Sequence, residues 1–258
     1  MGDLVHFKIQ YILLEPKAMN EPNARGGTED FEFESLAAAV NYRKAIVGEF
    51  KAYLRGRVLE VGAGIGQISE AVLELSGVDD LVALEPDGRF HAVFKQRLPN
   101  TSLIEGTTND LNEDEVFDST IMINVLEHIE DDQTELRRIS RILRPSGGHL
   151  CMLVPARPEI FSRLDAHFGH FRRYTKPELR RKLELAGFDV VSICYFNFIG
   201  YFAWLLRFKL MRKMSFDTEH VRFFDRRLFP LGHLFERNMT RPPFGQSLIA
   251  IAKSNKPA

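Results

Sequence analysis

Three glycines alternate directly after an apolar segment, in the stretch RVLEVGAGIGQ from Arg57 to Gln67. A buried strand that ends in alternating glycines lets the backbone approach a ligand closely, and a helix that begins just after offers free amide donors. Glu60 lies two residues before the turn, where its carboxylate would repel a pyrophosphate but could hold a cationic amine. The stretch therefore predicts a nucleotide-type site.

Two classes of nucleotide site have glycines at this position. A dinucleotide fold carries G-x-G-x-x-G, whereas the third glycine here, Gly66, comes one position early. The spacing instead resembles motif I, E-x-G-x-G-x-G, of class I S-adenosylmethionine (SAM)-dependent methyltransferases. That resemblance implies that SAM is the cofactor, that S-adenosyl-L-homocysteine is the product, and that the turn binds the cofactor. The implied contacts are Glu60, Gly62, Ala63, Gly64, Gly66 and Gln67.

A second apolar segment, residues 81–84, ends at Glu85-Pro86. An acidic residue some twenty positions past the glycines, at a strand's carboxyl end, is placed to accept both hydroxyls of a ribose. Glu85, with Pro86, is therefore a predicted cofactor contact in either nucleotide fold. By the resemblance, Thr107 or Thr108 occupies the place of the acidic residue that binds adenine in many of these enzymes.

The chain resembles motif IV of the same family between Asp118 and Ile129, in the order D-x-x-x-x-x-N-x-L-E-H-I. The resemblance implies that Asn124 and Val125 line the cofactor near its methyl group. His128 is expected either to contact the cofactor and act as a base, or to pack at a helix start. Tyr42, on a helix predicted before the glycine turn, covers the cofactor by the same resemblance, with simple packing as the alternative.

A polar segment, residues 155–175, follows the fifth predicted strand and is expected to bind the methyl acceptor. Its residues resemble a G-H-x-R-R-Y-T signature in a subgroup of type 11/12-like methyltransferases. His170 or Tyr174 could take a proton from an acceptor hydroxyl, and Arg172 and Arg173 could bind an anionic group on the acceptor. His167 is a further candidate acceptor contact, and the structural alternative pairs Asp165 with an arginine. No recognised ligand spacing is present, so no metal is expected.

The segment 197–244 is the second predicted acceptor region, beginning with Asn197 at a strand's carboxyl end. Within it, residues 198–214 combine apolar side chains at helical spacing with a basic end. Such a helix can lie on an anionic membrane surface. The alternative is a lid helix that packs on the acceptor site.

The elements that position these residues alternate between apolar segments and amphipathic helices, which predicts a parallel, doubly wound α/β sheet. We expect a Rossmann-like fold of seven strands, mostly parallel, with an antiparallel last strand over residues 247–252. The predicted organisation is an N-terminal arm, residues 1–34, and one domain, residues 35–258, with the helical acceptor insertions described above. Ligands of such sheets bind at the carboxyl ends of the strands.

The composition narrows the class of protein further. The formal net charge of −1 gives no global field toward nucleic acid, and the two cysteines fall in apolar segments typical of reduced, buried thiols. No signal peptide is recognised, and the longest apolar stretch is far shorter than the ~20 residues of a spanning helix. We therefore expect a cytoplasmic protein, with the membrane surface as a peripheral location.

The combined prediction is a SAM-dependent methyltransferase, with an O-methyltransferase of a glycan, lipid-linked sugar or anionic small molecule as the first expectation. An N- or O-methyltransferase of a small natural product is the alternative. A nicotinamide oxidoreductase is disfavoured by the early third glycine and by Glu60. A non-catalytic binding module of the same fold is disfavoured by the intact turn together with Glu85 and Asn124.

Overall fold

One seven-stranded sheet forms the centre of the described chain. In chain order its strands are β1 (Gly56–Val61), β2 (Val78–Leu84), β3 (Ser102–Ile104), β4 (Ser119–Ile123), β5 (His149–Pro155), β6 (Phe188–Phe196) and β7 (Ser247–Ser254). Their spatial order is β3-β2-β1-β4-β5-β7-β6. Strand β7 runs antiparallel to both of its neighbours, and the other paired strands are parallel. The predicted Rossmann-like sheet is confirmed.

The computed structural model describes residues 38–112, 114–145, 147–212, 218–238 and 242–255. The predicted arm over residues 1–34 lies outside these residues, as do parts of the predicted acceptor region. The helices are α1 (Val40–Phe50), α2 (Gln67–Leu73), α3 (Gly88–Arg97), α4 (Asp132–Ile142), α5 (Arg163–His167), α6 (Lys176–Leu185), α7 (Phe198–Trp204), α8 (Thr218–Phe223) and α9 (Phe229–Asn238). None of these is long and apolar enough to span a membrane.

Two apolar layers cover the two faces of the sheet. Along β1, Val58 packs in the layer that contains α1 and α2, while Leu59 packs in the layer that contains α4 and α6. Successive strand residues point to opposite faces, so a strand buried on both sides must be apolar almost throughout. This explains why residues 58–61, directly before the glycines, are apolar apart from Glu60.

The order of the strands reverses beside β1. The chain builds β2 and β3 on one side of β1 and then crosses to place β4 on the other side. The helices that follow β1 and β4 therefore pack on opposite faces of the sheet and leave a crevice at its carboxyl edge, where doubly wound folds bind ligands.

The C-terminal helices depart from the predicted regular helices. Helix α7 continues as a π-helical segment over Leu205–Leu210, and α8 and α9 are joined by a second π-helical segment over Phe224–Leu228. Pro230 is the second residue of α9, directly after this π-helical segment. Proline has no N–H to donate to the preceding turn, so the regular pattern is lost on its N-terminal side.

Candidate active site

A cavity of about 840 Å³ opens at the carboxyl ends of β1, β2 and β4. Most of the residues predicted as ligand contacts line it. They are Tyr42, Glu60, Gly62, Ala63, Gly64, Gln67, Glu85, Pro86, Thr107, Thr108, Asn124, Val125, His128, His167, His170, Arg173 and Asn197. The tertiary structure therefore brings the predicted cofactor and acceptor residues into one continuous space.

The glycine turn is shaped by backbone conformations that favour glycine. Gly62, Gly64 and Gly66 have φ angles of 73°, 54° and 80°. A Cβ on Gly62 would lie 2.4 Å from Cγ2 of Val125, so the turn after β1 and the turn after β4 touch only because this residue has no side chain. Gly66 is not among the residues that line the cavity and is instead the N-cap of α2.

Glu85 joins the end of β2 to this turn. One carboxylate oxygen accepts a hydrogen bond from the amide of Gly64 at 2.7 Å, and the other accepts from the amide of Asp87 at 2.8 Å. Burial raises the pKa of Glu85, and the two amide bonds act in the opposite direction. Each oxygen keeps a further lone pair, so Glu85 can hold the turn and still accept ligand hydroxyls.

Glu60 is a second carboxylate in the lining and is almost fully buried. The hydroxyl of Ser69 donates to it at 2.5 Å. Burial raises the pKa of Glu60 to about 8, and the charge of Glu85 adds to the shift. A cationic amine placed beside Glu60 would favour its ionised form, so this residue fits the amino group of an amino-acid ligand.

Tyr42 covers one wall of the cavity from α1. Its ring lies 5.5 Å from Phe196 and 5.3 Å from Phe229 between centroids, and burial raises its pKa to about 12. The carboxylate of Asp225 accepts from the amides of Asn41 and Tyr42 at 3.0 and 2.9 Å. The second π-helical segment is thus tied to the start of α1.

The side chains of the predicted adenine contacts, Thr107 and Thr108, form hydrogen bonds within the protein. The hydroxyl of Thr108 donates to the carboxylate of Glu135 at 2.9 Å, and the side chain of Thr107 caps the short 3₁₀ turn Thr108–Asp110. Both residues line the cavity. The hydroxyl of Thr108 is therefore directed at Glu135, and we expect adenine to be met here by backbone groups.

Asn124 directly follows β4 and has a left-handed conformation, with φ of 54°. Its amide donates to the carbonyl of Leu153 at 2.9 Å, which fixes the strand end. A non-glycine residue held in this region is uncommon, and such residues gather at ligand sites. The following residues do not start α4 as expected, but form a separate 3₁₀ turn, Leu126–His128.

Three ionisable side chains meet at this turn. Ligand atoms of Glu127, His128 and His170 all lie within 4.8 Å of one another, and all three residues line the cavity. The rings of His128 and His170 meet edge to face, with centroids 4.6 Å apart. Burial lowers the pKa of His128 to about 3, with the charge of His170 adding to the effect, so His128 is a weaker base than the sequence suggests.

Asp165 orients His170 from behind. Its carboxylate lies 3.3 Å from Nδ1 of His170 and accepts from Nε of Arg173 at 2.7 Å. Burial opposes ionisation of Asp165, but its contacts with His170 and Arg173 together lower its pKa to about 2. Arg173 lines the cavity, yet its charge is balanced by Asp165, as the structural alternative from the sequence proposed.

The structure corrects the expectations for Arg172 and Tyr174, neither of which lines the cavity. Arg172 forms an ion pair with Asp132 at 2.9 Å. The Tyr174 hydroxyl donates to Asp132 at 2.9 Å and to the carbonyl of Leu126 at 3.2 Å. Burial and the charge of Asp132 raise the pKa of Tyr174. Tyr174 is therefore unsuited to act as the base, and Arg172 to bind the acceptor.

Asn197 and His167 lie where the acceptor region was predicted. Asn197 caps α7 by accepting from the amide of Gly200 at 2.9 Å, and its amide group donates to Gln246 at 2.8 Å. Its side chain thus holds the start of α7 and Gln246 in place at the cavity wall. His167 ends α5 and lines the cavity beside Phe168.

Two residues of this site were not singled out from sequence. The sequence pattern marks Glu127 only as part of a helix start and does not mark Asp225. Glu127 is followed directly by His128, and it is separated from His170 by more than forty residues. A search for buried carboxylates next to a predicted base would have identified Glu127, whereas no local signal marks Asp225.

Comparison with known proteins identifies the family. A family model described as a methyltransferase domain matches residues 31–193, more than half of the chain. An uncharacterized methyltransferase of Mycobacterium bovis is 30% identical over 103 residues, which span 40% of this chain and 41% of that protein. A ubiquinone biosynthesis O-methyltransferase of Hydrogenovibrio crunogenus is 24% identical over 140 residues, spanning 52% and 58% of the two chains.

Solved structures share the fold. A SAM-dependent methyltransferase of Mesorhizobium loti superposes with a TM-score of 0.56 at 14% identity, covering 81% of this chain and 95% of its own. The phosphoethanolamine N-methyltransferase 2 of Haemonchus contortus, solved with SAM, gives a TM-score of 0.57 at 16% identity, with coverage of 85% and 53%. The glycine turn and the buried carboxylates Glu60 and Glu85 fit a nucleoside that carries an amino-acid group. The chain belongs to the methyltransferase domain family, within the class I SAM-dependent methyltransferases.

Proposed function

We propose that this protein transfers a methyl group from SAM to a hydroxyl oxygen of an acceptor that has a large apolar part. The observation that carries this proposal is the cluster of Glu127, His128 and His170, which groups ionisable side chains in the cavity just past the cofactor turns. A neutral hydroxyl is a poor nucleophile, and groups that assist loss of its proton are most useful for oxygen acceptors.

The wall around this cluster supports an apolar acceptor. Aliphatic and aromatic side chains line the same cavity, namely Ile129, Phe168, Ala203, Trp204, Phe208, Val221 and Phe224. The ring of Phe168 lies 6.0 Å from that of His170 between centroids. Pockets of this kind bind the body of a ligand by burial and fix its orientation by a few polar groups. The histidine cluster would supply those polar groups.

The protein's own groups would act by alignment and proton removal. When bound, SAM supplies an electrophilic methyl group on a sulfonium sulfur. The turns after β1 and β4 hold the cofactor side, and the apolar wall excludes water and positions the acceptor for in-line attack. Between the two imidazoles, His170 is the better proton acceptor, because Asp165 lies beside Nδ1 and stabilises its charged form.

The predicted anion contact at Arg172 and Arg173 is not retained. Arg172 pairs with Asp132 and Arg173 pairs with Asp165, so the charges of both arginines are balanced within the protein.

Identification of the methylated atom tests this function. The purified protein would be incubated with SAM carrying a ¹³C-methyl group and with lipid and small-molecule extracts. We expect a product whose labelled carbon is bonded to oxygen, as shown by its carbon chemical shift and long-range proton–carbon correlations. A labelled methyl on nitrogen or carbon would reject the proposal, and the Gly62→Asp variant supplies the background.

We further propose that the outer face of α7 to α9 contacts an anionic lipid surface, from which the acceptor enters. Exposed apolar side chains recur on this face, including Phe202, Leu206, Leu210, Phe223, Leu231, Leu234 and Phe235. In α9 they follow helical spacing, so they form one stripe. Surface patches of this kind mark interaction sites.

The charges around the stripe favour an anionic surface as the partner. Among the described residues of 198–238, the exposed basic side chains are Lys209, Arg212, Arg222, Arg226, Arg227 and Arg237. The exposed acidic side chain there is Glu219, whereas Asp225 and Glu236 are buried. An excess of basic groups beside apolar side chains is typical of helices that lie in the interface of anionic membranes.

Vesicle sedimentation tests this contact. We expect the protein to co-sediment with vesicles that contain phosphatidylglycerol, and much less with pure phosphatidylcholine. The triple variant Leu231→Ser, Leu234→Ser, Phe235→Ser should lose binding, whereas Leu185→Ser, an exposed leucine on α6, should not. If the triple variant binds vesicles normally, this face does not contact the lipid surface. If light scattering shows a dimer for the wild-type protein and a monomer for the triple variant, the face binds a second copy of the chain instead.

A further inference from the structure

We infer that Glu127, His128 and His170 form a binding site for a first-row divalent transition metal ion, placed to hold the acceptor oxygen. This inference rests on the proposed function, because the same cluster is where the acceptor hydroxyl would lie. It differs from that proposal in how the proton is lost, since a cation rather than an imidazole base would make the hydroxyl acidic.

The geometry of the cluster meets the first requirement of such a site. One ligand atom from each residue lies within 4.8 Å of the others, which is close enough for all three to reach one ion with small side-chain adjustments. Two imidazoles and one carboxylate are a known three-ligand set for divalent transition metals, and they leave coordination positions open. Because all three residues line the cavity, those positions would face the acceptor.

A second observation concerns the group behind His170. Nδ1 of His170 lies 3.3 Å from the carboxylate of Asp165, so Nε2 is the ring nitrogen directed away from that partner. Metal-binding histidines are commonly oriented in this way, with the second ring nitrogen donating to a carboxylate. Asp165 is in turn fixed by Arg173 and by the amide and hydroxyl of Ser162, both at 2.7 Å.

The two segments that carry the ligands are joined by further bonds. The amide of Phe171 donates to the carbonyl of Glu127 at 2.8 Å, and the hydroxyl of Tyr174 donates to the carbonyl of Leu126 at 3.2 Å. Arg172 donates to the carbonyl of Glu130 at 2.7 Å. The segment that supplies His170 is thereby held against the turn that supplies Glu127 and His128, and the ligand set is preorganised.

The composition of the set selects the kind of ion. Mg²⁺ and Ca²⁺ prefer oxygen ligands, whereas imidazole nitrogens suit zinc, iron, nickel and copper, and mixed sets also hold manganese and cobalt. A structural zinc site is closed by four protein ligands, and three ligands facing a cavity are typical of a catalytic ion.

The chemistry of the transfer balances with such an ion. An acceptor hydroxyl bound to the cation would lose its proton to solvent water, because a Lewis acid lowers the pKa of a bound hydroxyl group. The resulting oxygen would form a bond to the methyl carbon. The bond from that carbon to sulfur would break, and its electron pair would stay on sulfur as the thioether.

Metal binding can be measured without following methyl transfer. The full-length protein would be treated with a chelator, dialysed, and titrated with Co²⁺, Mn²⁺ and Zn²⁺ by calorimetry, with the visible spectrum of Co²⁺ as the signature of nitrogen and oxygen ligands. We expect one ion per chain in the wild-type protein. Glu127→Gln and His170→Asn should each weaken binding by about 100-fold or more, and Asp165→Asn by about 10- to 100-fold.

Two controls separate metal binding from folding. His167→Asn changes a histidine that lines the same cavity but lies outside the cluster, and it should bind the ion normally. All variants should still bind SAM, which shows that the sheet and the glycine turn are intact. If the wild-type protein binds none of the three ions, or if His170→Asn binds them as the wild type does, the metal site is rejected.

The outcomes also distinguish this inference from the proposed function. An oxygen-methylated product formed at an unchanged rate in the presence of chelator would overturn the metal site and leave O-methylation standing, with His170 as the base. Stoichiometric metal binding together with a nitrogen-methylated product would support the metal site and reject O-methylation.

Discussion

The cofactor side and the acceptor side of the cavity are built in different ways. On the cofactor side, backbone conformation defines the shape of the site, as in the left-handed glycines and the contact between Gly62 and Val125. On the acceptor side, buried charged side chains hold the segments in place. One network centres on Asp165, and the other joins Asp132 to Arg172, Tyr174 and Lys182.

This difference teaches where each function is vulnerable. A backbone-defined turn tolerates changes that keep its conformation, whereas a buried ionic network depends on every partner because an unpaired buried charge is costly. Changes on the acceptor side should therefore alter acceptor use and stability together, while SAM binding is retained in any variant that still folds.

The largest effect is expected for Arg173→Met. The change leaves Asp165 buried without its arginine partner and should lower the free energy of unfolding by about 3–5 kcal/mol. Denaturant titration measures this loss. Arg144→Met breaks the exposed pair with Asp118 and should cost less than about 1 kcal/mol. Equal losses in the two variants would contradict the importance of the buried network.

Gly62→Ala should act mainly on the cofactor side. The added Cβ would meet Val125, and alanine is disfavoured at a φ of 73°. We expect strain and overpacking to lower the free energy of unfolding by roughly 2–4 kcal/mol. Because the turn must shift to relieve the clash, we also expect much weaker SAM binding, measured by calorimetry. Gly88→Ala is the matched control, because nothing lies within 4 Å of its added Cβ. Unchanged SAM affinity in Gly62→Ala would show that the turn is more adaptable than the structure suggests.

Tyr174→Phe should separate the two sides more cleanly. It removes hydrogen bonds to Asp132 and to the Leu126 carbonyl, which should lower the free energy of unfolding by about 1–3 kcal/mol. We expect acceptor kcat/KM to fall while SAM affinity is kept, because the segment bearing His170 would be held less firmly. Tyr53→Phe, outside the cavity, should change neither quantity. If Tyr174→Phe bound SAM more weakly and Tyr53→Phe did not, the acceptor side and the cofactor side would not be independent.

The pH dependence of SAM binding tests Glu60. The pKa of Glu60 is raised to about 8, so its carboxyl is mostly protonated at neutral pH before the ligand binds. If the cofactor's amine requires the carboxylate, binding releases a proton and tightens as pH rises from about 6 toward 8, by up to about tenfold per unit. Calorimetry in buffers of different ionisation enthalpy measures this proton, and Glu60→Gln should abolish its release.

Much of the fold and of the cofactor side could be predicted from the sequence, because the signals are local. The apolar segment before Gly62, the glycine spacing, and the acidic residue after β2 all lie within about thirty residues of one another. Each signal reports a backbone requirement at a strand end, and parallel strands carry such ends to one edge of the sheet. Strand positions follow from the same patterns, whereas the antiparallel β7 and the lining position of Tyr42 were implied by the resemblance to the methyltransferase family.

The acceptor side could be predicted only in outline. The sequence marks His170, Arg172, Arg173 and Tyr174 as ionisable residues in one segment, but it does not say which of them face the cavity. That choice depends on partners distant in the chain, since Asp132 engages Arg172 and Tyr174 while Asp165 engages His170 and Arg173. Charged side chains become buried where partners compensate them, and only the tertiary structure supplies those partners.

The sequence by itself thus determined the class of fold and the edge of the sheet where chemistry occurs, because strand periodicity and glycine conformation are properties of neighbouring residues. Its resemblance to motif I indicated the cofactor. The tertiary structure decided which ionisable groups meet. It turned Arg172 and Tyr174 toward Asp132 and brought Glu127 and His128 together with His170. These contacts join segments some forty residues apart, and their formation depends on burial that no local pattern records.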